Sequence, residues 1–375
     1  MINLTINGQS VTVEENLSIL HAAEKLGICI PTLCHMEWDC FGLEHVTGSC
    51  RICVVEIEGR PNLAPSCCTP ATEGMVVRTN TIRAINARRT ILDLLLSNHP
   101  KDCLICEKNQ SCTLQKLAAE FGLHRILYDG ERAKHPVDIE NRSIVRDPNK
   151  CIMCRRCETA CNRIQTVGIL SATRRGFQSV VMPTAERKLA DTKCTFCGQC
   201  VTVCPVGALT EMNYVFDVWK ALNDAGKTVI VQIAPAVRVA IGEAFDMKPG
   251  SISTGKLVTA LRSMGFNRVF DTNFAADLTI MEEAHEFLER LKSGDLPILT
   301  SCCPGWVNFL EYQFPDLVKI PSTAKSPQQM FGAIAKSYFA KKIGVDPKNM
   351  VVVSVMPCLS KKYEAARPEF SKDGI

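Results

Sequence analysis

Two runs of four cysteines constrain this chain more than any other feature of its sequence. Both runs have the spacing C-x2-C-x2-C-x3-C; Pro205 follows the second run, and Asn162 follows the first. This spacing holds two 4Fe–4S clusters, because three close cysteines wrap one cluster and the fourth reaches the other. A structural zinc site needs only four thiolates and does not explain two such runs. The predicted ligands are Cys151, Cys154, Cys157 and Cys204 for one cluster, and Cys194, Cys197, Cys200 and Cys161 for its neighbour.

The composition limits the class of protein further. The 375 residues include 21 cysteines and carry a net charge of +4. The cysteines cluster in metal-type spacings, and residues 1–20 lack a signal-peptide core, so disulfides are not expected. No apolar run approaches the ~20 residues of a membrane span, and the charge is too small to indicate nucleic-acid binding. We therefore expect a cytoplasmic, metal-rich protein without a membrane span.

A third cysteine set follows a predicted hairpin at Asn7-Gly8 and a short helix capped by Ser18. Its members are Cys34, Cys50, Cys53 and Cys67, with Cys68 as an alternative to Cys67. The arrangement resembles the plant-type 2Fe–2S ferredoxin fold, but the interval from Cys34 to Cys50 is longer than in C-x4-C-x2-C. The longer loop is similar to that of complex I's large iron–sulfur subunit and of iron-only hydrogenases.

A fourth set follows a segment at 81–97 whose helical spacing comes from Ile82, Ile85, Ile91 and Leu95. The pattern is H-x3-C-x2-C-x5-C. It resembles the 4Fe–4S site with one histidine and three cysteines that occurs in the same two families. The ligands that this resemblance implies are His99, Cys103, Cys106 and Cys112.

Beyond about residue 213, short apolar segments alternate with segments of helical pattern. VIVQIA, RVFD, LPILT and MVVVSVM are predicted strands, and such alternation predicts a parallel sheet. Ligands of open α/β sheets lie at the carboxyl ends of the strands. Cys302 and Cys303 follow LPILT, and Cys358 follows MVVVSVM. The pattern alone therefore predicts a metal site at this edge of the sheet.

Four long motifs of this region resemble those of iron-only (FeFe) hydrogenases: IMEEAHEFLERL, TSCCPGW, AKSPQQMFG and VMPCLSKK. The active cofactor of that family is the H-cluster, a 4Fe–4S cubane joined to a di-iron site. The resemblance implies that Cys303 and Cys358 bind the cubane and that Cys302 is the thiol that passes protons. The residues that it implies for the rest of the proton path are Glu283, Ser322, Glu286 and Arg290. Those that it implies around the cofactor are Pro235, Gln328, Met356 and Lys361, the last bonded to a cyanide ligand.

The family's other two cubane cysteines lie in a C-x3-C element further along, whereas no cysteine follows Cys358 in these 375 residues. Either the sequence is a fragment, or the chain is not a complete hydrogenase. The final segment PEFSKDGI does not resemble a natural domain end, and we expect a fragment.

These segments predict a multidomain α+β and α/β protein. The expected domains are a β-grasp 2Fe–2S domain at 1–80, a one-His/three-Cys 4Fe–4S domain with a connector at 81–145, a two-cluster 4Fe–4S ferredoxin domain at 146–212, and part of the hydrogenase α/β lobe with a parallel sheet at 213–375. The expected cofactors are one 2Fe–2S cluster, three 4Fe–4S clusters and, in the complete protein, the H-cluster.

The resemblance implies reversible oxidation of dihydrogen, with electrons passed to ferredoxin or to a flavin- and NAD(P)-binding subunit. It also implies assembly of the H-cluster by maturation proteins. The alternative is a non-catalytic iron–sulfur subunit of a multisubunit oxidoreductase.

Overall fold

The computed structural model describes residues 1–46 and 48–371. The last four residues of the ending PEFSKDGI lie outside these residues. The chain separates into two compact units. The first comprises residues 1–140, 144–192 and 199–210, and the second comprises 141–143, 193–198 and the residues from 211 onward. The division into four domains stays a prediction.

The first unit contains ten strands and five helices among its described residues. The strands are β1 (Ile2–Ile6), β2 (Gln9–Val13), β3 (Met36–Trp38), β4 (Leu43–His45), β5 (Val54–Ile57), β6 (Ala64–Pro65), β7 (Val76–Arg78), β8 (Ile144–Arg146), β9 (Leu170–Thr173) and β10 (Val180–Pro183). The helices are α1 (Ile19–Lys25), α2 (Ile82–Asn98), α3 (Thr113–Glu120), α4 (Arg156–Thr159) and α5 (Gln199–Thr202). A further strand, β11 (Leu209–Glu211), ends just past the last segment of this unit.

The amino-terminal part is a five-stranded sheet with the order β2-β1-β7-β5-β6. β1 and β2 form an antiparallel hairpin, and β1 pairs in parallel with β7. Asn7 and Gly8 have φ angles of 50° and 83°, as a two-residue hairpin turn requires. Ser18 Oγ accepts the backbone N–H of His21 at the start of α1, whose apolar face joins the core of the sheet. The predicted hairpin and capped helix are confirmed.

Helix α2 confirms the predicted helix at 81–97, but its buried face is not the one that the isoleucines mark. Ile82 is 80% exposed, whereas Ala84, Arg88 and Leu92 are buried. Arg88 Nη2 donates to the carbonyl of Val54 at 2.7 Å and thereby joins α2 to β5. The spacing of apolar residues predicted the helix but not its buried face, because an arginine counts as polar in such a pattern even when it is buried.

The second unit contains three strands and eight helices among its described residues, apart from the end of β11. The strands are β12 (Thr228–Ile233), β13 (Arg268–Asp271) and β14 (Met350–Val355). The helices are α6 (Val215–Leu222), α7 (Pro235–Ala240), α8 (Thr254–Ser263), α9 (Asn273–Ser293), α10 (Pro304–Gln313), α11 (Pro327–Ile334), α12 (Ala340–Lys342) and α13 (Leu359–Ala365).

These three strands form a parallel sheet with the order β13-β12-β14. Successive residues of β12 face opposite sides, and both sides are covered. Ile230 packs in a core with Phe331 of α11, whereas Val231 packs in another with Leu261 of α8. A strand buried on both faces reads as a continuous apolar run, which is why VIVQIA and MVVVSVM were recognisable. The predicted parallel sheet is confirmed for these strands and for RVFD.

LPILT was wrongly predicted as a strand of this sheet. The segment makes a single bridge, in which Leu299 pairs with Pro321. Pro297 has no N–H to donate to a neighbouring strand, which weakens any pairing of so short a segment. The segment that precedes Cys302 is therefore not one of the sheet strands. Across the residues that the structure describes, no helix combines the length and the apolar character needed to cross a membrane.

Candidate metal centres

The four cysteines of the amino-terminal set lie together in the first unit. Cys34, Cys50, Cys53 and Cys67 are all buried, with 1–4% of each residue exposed. Hydrogen bonds with Cys34 and burial raise the pKa of the Cys50 and Cys67 thiols, and accepting a hydrogen bond from Cys67 lowers the pKa of Cys53 to about 6. Four sulfurs joined by these pairwise contacts fit a small cluster held by thiolates.

Cys68, the alternative to Cys67, is oriented differently. It is exposed, and its Sγ lies 3.8 Å from the carbonyl oxygen of Pro65. Cys67 instead makes sulfur contacts with Cys34 and Cys53. The geometry therefore favours Cys67 as the fourth ligand.

The one-histidine set surrounds the end of α2 and the start of α3. His99 is the C-cap of α2, and Cys112 is the N-cap of α3. Burial lowers the pKa of His99, which keeps the imidazole neutral and able to ligate a metal. Burial raises the pKa of Cys112, and the nearby charges of Cys103 and Cys106 raise it further, so these three sulfurs are neighbours.

A lysine and a glycine complete the surroundings of Cys106. Lys150 Nζ lies 3.3 Å from Asp102; burial alone would lower the pKa of Lys150, but the charge of Cys106 and the contact with Asp102 raise it. Gly207 approaches so closely that a Cβ there would lie 2.6 Å from Cys106 Sγ. Only glycine fits at this position without displacing the sulfur.

Cys151, Cys154, Cys157 and Cys204, the predicted ligands of one cluster, line a single cavity of the first unit. Burial raises the pKa of all four thiols, that of Cys154 to about 12. Arg146 lines the same cavity and is 4% exposed, yet its Nε and Nη1 have no hydrogen-bond partner. A cluster bound by four thiolates is anionic, so a guanidinium with two unsatisfied nitrogens beside four cysteines fits such an occupant.

Both ferredoxin-type runs adopt the same local turn. The backbone N–H two residues after the first cysteine donates to its sulfur, from Met153 to Cys151 and from Phe196 to Cys194, each at 3.4 Å. Met153 and Phe196 have φ angles of 55° and 51°. Backbone N–H groups turned inward in this way stabilise negative charge on sulfur.

The predicted ligands of the neighbouring cluster are divided between the two units. Cys161 and Cys200 belong to the first unit, and Cys194 and Cys197 belong to the second. All four are partly buried. Cys161 Sγ accepts the backbone N–H of Ile169 at 3.3 Å. Their assignment to one cluster stays a prediction.

The predicted cubane ligands of the second unit stand at the starts of two helices. Cys303 is the N-cap of α10, and Cys358 is the N-cap of α13. A Cβ on Gly305 would lie 3.1 Å from Ser360 Oγ and 3.8 Å from Cys303 Sγ, so the start of α10 lies against the start of α13. The two cysteine positions are therefore brought together by the starts of two helices, whereas the sequence predicted that the ends of two strands would do so.

Short hydrogen bonds join three residues of the predicted proton path: Glu286, Ser322 and Arg290. Ser322 Oγ and Arg290 Nη2 each donate to Glu286 at 2.6 Å. Burial alone would raise the pKa of Glu286, but these partners and the N–H of Thr323 lower it. Burial and then the charge of Glu286 raise the pKa of Glu283, which lines a cavity together with Ser322.

Lys361 and Gln328 converge on a carboxylate that sequence reasoning missed. Glu364 is 6% exposed and accepts hydrogen bonds from Lys361 Nζ, Gln328 Nε2 and Ser326 Oγ at 3.0–3.1 Å. Lys361 Nζ also donates to the carbonyl of Cys302 at 2.7 Å. The available signal was spacing, since Glu364 follows Lys361 by three residues on α13.

Pro235 and Met356 lie at the ends of adjacent parallel strands. Pro235 is the first residue of α7 and follows β12, and Met356 follows β14. The backbone N–H of Ala234 donates to the carbonyl of Val355 at 3.0 Å. The two residues therefore share the edge where open α/β sheets bind ligands.

Family comparisons agree with this arrangement. Residues 227–374 match the model of the iron only hydrogenase large subunit, C-terminal domain. The NADP-reducing hydrogenase subunit HndD of Solidesulfovibrio fructosivorans is 58% identical over 381 residues, which cover 100% of this chain and 65% of that protein. The chain is thus similar to iron-only hydrogenases over all of its given residues. Three further matches are a 2Fe-2S iron-sulfur cluster binding domain at 1–82, the NADH-ubiquinone oxidoreductase-G iron-sulfur binding region at 88–126 and a 4Fe-4S binding domain at 191–210.

Iron hydrogenase 1 of Clostridium pasteurianum is 38% identical over 378 residues, which again cover 100% of this chain and 65% of the relative. The chain thus spans about two thirds of the length of both relatives. Among solved structures, a chain of an NAD+-reducing [NiFe]-hydrogenase in the H2-reduced state is 31% identical, with a TM-score of 0.50. That match covers 56% of this chain and 87% of the other.

Proposed function

We propose that the protein containing this chain catalyses the reversible oxidation of dihydrogen to protons and electrons. The observation that carries the proposal is a set of proton-handling groups in the same unit as Cys302 and Cys303. Glu286 with Ser322, and Lys361 with Glu364, are hydrogen-bonded pairs of this kind. A non-catalytic electron-transfer subunit has no use for them, which disfavours that alternative.

The cysteine sets would hold one 2Fe–2S cluster and three 4Fe–4S clusters, and Cys303 and Cys358 would hold part of the H-cluster. When bound, the H-cluster supplies the metal centre at which dihydrogen is split. Inward backbone N–H groups favour anionic clusters at fixed positions. The neutral imidazole of His99 leaves its cluster less negative than four thiolates would, which favours reduction.

The residues of the second unit would move the proton. Cys302 Sγ receives it, and Lys361 fixes the adjoining backbone through the Cys302 carbonyl. Burial raises the pKa of Glu283, so its carboxyl retains a proton to a higher pH than an exposed glutamate does. The cavity that Glu283 shares with Ser322 has room for water, and Ser322 Oγ already donates to Glu286.

The electron partner would be a flavin- and NAD(P)-binding subunit. The name of one relative, an NADP-reducing hydrogenase subunit, supports this choice over ferredoxin, since that relative matches the whole of this chain. A solved relative is likewise named for NAD+ reduction. Dihydrogen-dependent reduction of NADP+ by the complex purified through this chain, without added ferredoxin, is the expected result. Reduction that requires ferredoxin would reverse the choice.

Isotope exchange tests the catalytic proposal independently of the electron partner. The purified protein, with its H-cluster assembled, is incubated with dihydrogen in D2O, and HD and D2 are measured by mass spectrometry. We expect exchange, because splitting dihydrogen needs no electron acceptor. Protein whose clusters are fully loaded but which shows no exchange would instead be an electron-transfer subunit.

A further inference from the structure

A second group of metal-type ligands lies in the first unit, and no sequence motif marks it. His21 on α1, His35 next to Cys34, Glu37 on β3 and Glu44 on β4 each offer one ligand atom, and these atoms all lie within 4.8 Å of one another. His21 Nε2 is 2.7 Å from Glu37 and 3.7 Å from Glu44. His35 Nε2 is 2.7 Å from Glu44 and 3.5 Å from Glu37. Each imidazole therefore faces both carboxylates.

The long interval between Cys34 and Cys50 builds this arrangement. Its residues form the β3–β4 pair, in which Glu37 lies directly opposite Glu44. Carboxylates opposite each other on adjacent strands repel. In the described part of the chain, neither glutamate forms an ion pair with lysine or arginine; their ion pairs are with His21 and His35. A cation between the strands would relieve the repulsion.

Outer contacts hold the ring of His21 and the main chain of His35. Ser18 Oγ lies 2.8 Å from His21 Nδ1, which leaves Nε2 directed at the carboxylates. His35 is 8% exposed, and Arg156 Nη2 donates to its carbonyl at 2.6 Å. Histidines that bind metals usually have a partner like Ser18 on the other ring nitrogen, because it fixes the tautomer and the ring orientation.

We propose that His21, His35, Glu37 and Glu44 bind one Zn²⁺ ion that fastens the β3–β4 hairpin to α1. Two imidazoles and two carboxylates supply the four nitrogen and oxygen ligands of a tetrahedral zinc site. Mg²⁺ and Ca²⁺ prefer oxygen ligands alone and suit this set poorly. Because all four positions are filled by protein, the role of the ion is structural.

The test uses protein whose iron–sulfur clusters are already loaded anaerobically, so that its cysteines are occupied. ZnCl2 is added, loosely bound metal is removed with a weak chelator, and zinc is counted by mass spectrometry. The count should be about one zinc per chain. X-ray absorption at the zinc edge should then show nitrogen and oxygen neighbours at about 2.0–2.2 Å. Zinc bound through sulfur at about 2.3 Å, or no retained zinc, would overturn the proposal.

Variants locate the ion within the chain. His21→Ala and Glu44→Gln should each raise the Kd for Zn²⁺ more than ~100-fold, because losing even an outer-shell partner costs ~10–100-fold. His124→Ala removes an exposed histidine outside the group and should leave the Kd unchanged. The visible spectrum of the 2Fe–2S cluster verifies that each variant is folded. Equal affinity in His21→Ala and His124→Ala would show that zinc binds elsewhere.

Discussion

Arg146 is a buried charge without a full set of partners. Its Nε lies 3.9 Å from Asp138, and neither Nε nor Nη1 is hydrogen-bonded. Burial lowers its pKa, and the charges of Asp138, Cys151 and Cys157 oppose that effect. A cation so placed stabilises the more negative, reduced state of an adjacent cluster.

We therefore expect Arg146→Met to lower the reduction potential of the cluster held by Cys151, Cys154, Cys157 and Cys204. A shift on the order of 60 mV corresponds to a tenfold change in a one-electron equilibrium. Potentiometric titration followed by EPR measures it. In Arg146→Met the Asp138 carboxylate loses its cation and could itself lower the potential, so the double variant Arg146→Met/Asp138→Asn measures the loss of the cation alone. Arg174→Met, which breaks an exposed ion pair, is the control. An unchanged potential in both Arg146 variants would remove this role.

Glu283→Gln should make the protein more stable at neutral pH and less active. The folded state raises the pKa of Glu283, so its contribution to stability is present below the unfolded pKa of ~4.3 and is lost as the pH rises through the folded value. Glutamine does not ionise, so the Tm of the variant should exceed that of wild type increasingly as the pH rises through this window. Turnover should fall by ~10²–10⁴-fold, as for loss of a proton-transfer group.

Glu282→Gln is the matched control, because Glu282 is the exposed neighbour on the same helix. It should change neither turnover nor the pH dependence of Tm. Thermal unfolding between pH 4.5 and 8 and a dye-linked hydrogen assay supply both readouts. Full activity in Glu283→Gln would show that the proton takes another route.

Cys302 and Cys303 should respond differently to alanine. Cys302→Ala should reduce turnover by at least ~10²-fold with the iron content unchanged, because a thiol can pass a proton and a methyl group cannot. Cys303→Ala should lose iron from the H-cluster, since it removes a predicted ligand. Infrared bands of the H-cluster and iron analysis separate the two effects. Near-normal turnover in Cys302→Ala with intact bands would contradict the assignment.

At the scale of elements, the loop at Gly207 limits how the one-histidine set can be arranged. The carbonyl of Pro205 accepts the N–H of Thr113 at 3.0 Å, which ties this loop to the start of α3. Close packing leaves no space for a methyl group beside Cys106. The segment around Cys204 thus bounds two predicted cluster sites at once.

Gly207→Ala should therefore release about four iron atoms per chain from the one-histidine set. The added Cβ would lie 2.6 Å from Cys106 Sγ and would have to displace it. Iron analysis and EPR of the reduced protein measure the loss. Gly130→Ala, where no atom lies within 4 Å of the added Cβ, should keep all of its iron. Unchanged iron and an unchanged spectrum in Gly207→Ala would place that cluster elsewhere.

At the scale of the whole molecule, the cluster complement can be counted. The accessory sets should bind about fourteen iron atoms per chain after anaerobic reconstitution, since each set supplies four ligands to a cluster of known composition. Iron analysis combined with EPR of the reduced protein gives the count. About eight iron atoms without a 2Fe–2S signal would remove the two amino-terminal assignments.

The sequence by itself predicted which residues ligate clusters, and it determined where β12, β13 and β14 of the parallel sheet run. Ligand spacings such as C-x2-C and apolar runs such as VIVQIA are local, so a short window of residues contains the whole signal. The Asn7-Gly8 turn and the Ser18 cap were readable for the same reason.

Only the tertiary structure decided which polar groups share a site. His21 meets Glu44, Gly207 meets Cys106, and Glu364 meets Gln328 across long intervals of sequence. It also decided that LPILT makes one bridge and that Arg88 lies on the buried face of α2. These outcomes depend on packing between distant segments, where a hydrogen bond or a close contact outweighs local propensity. Spacing therefore predicted the ligands, and packing set the charges and contacts around them.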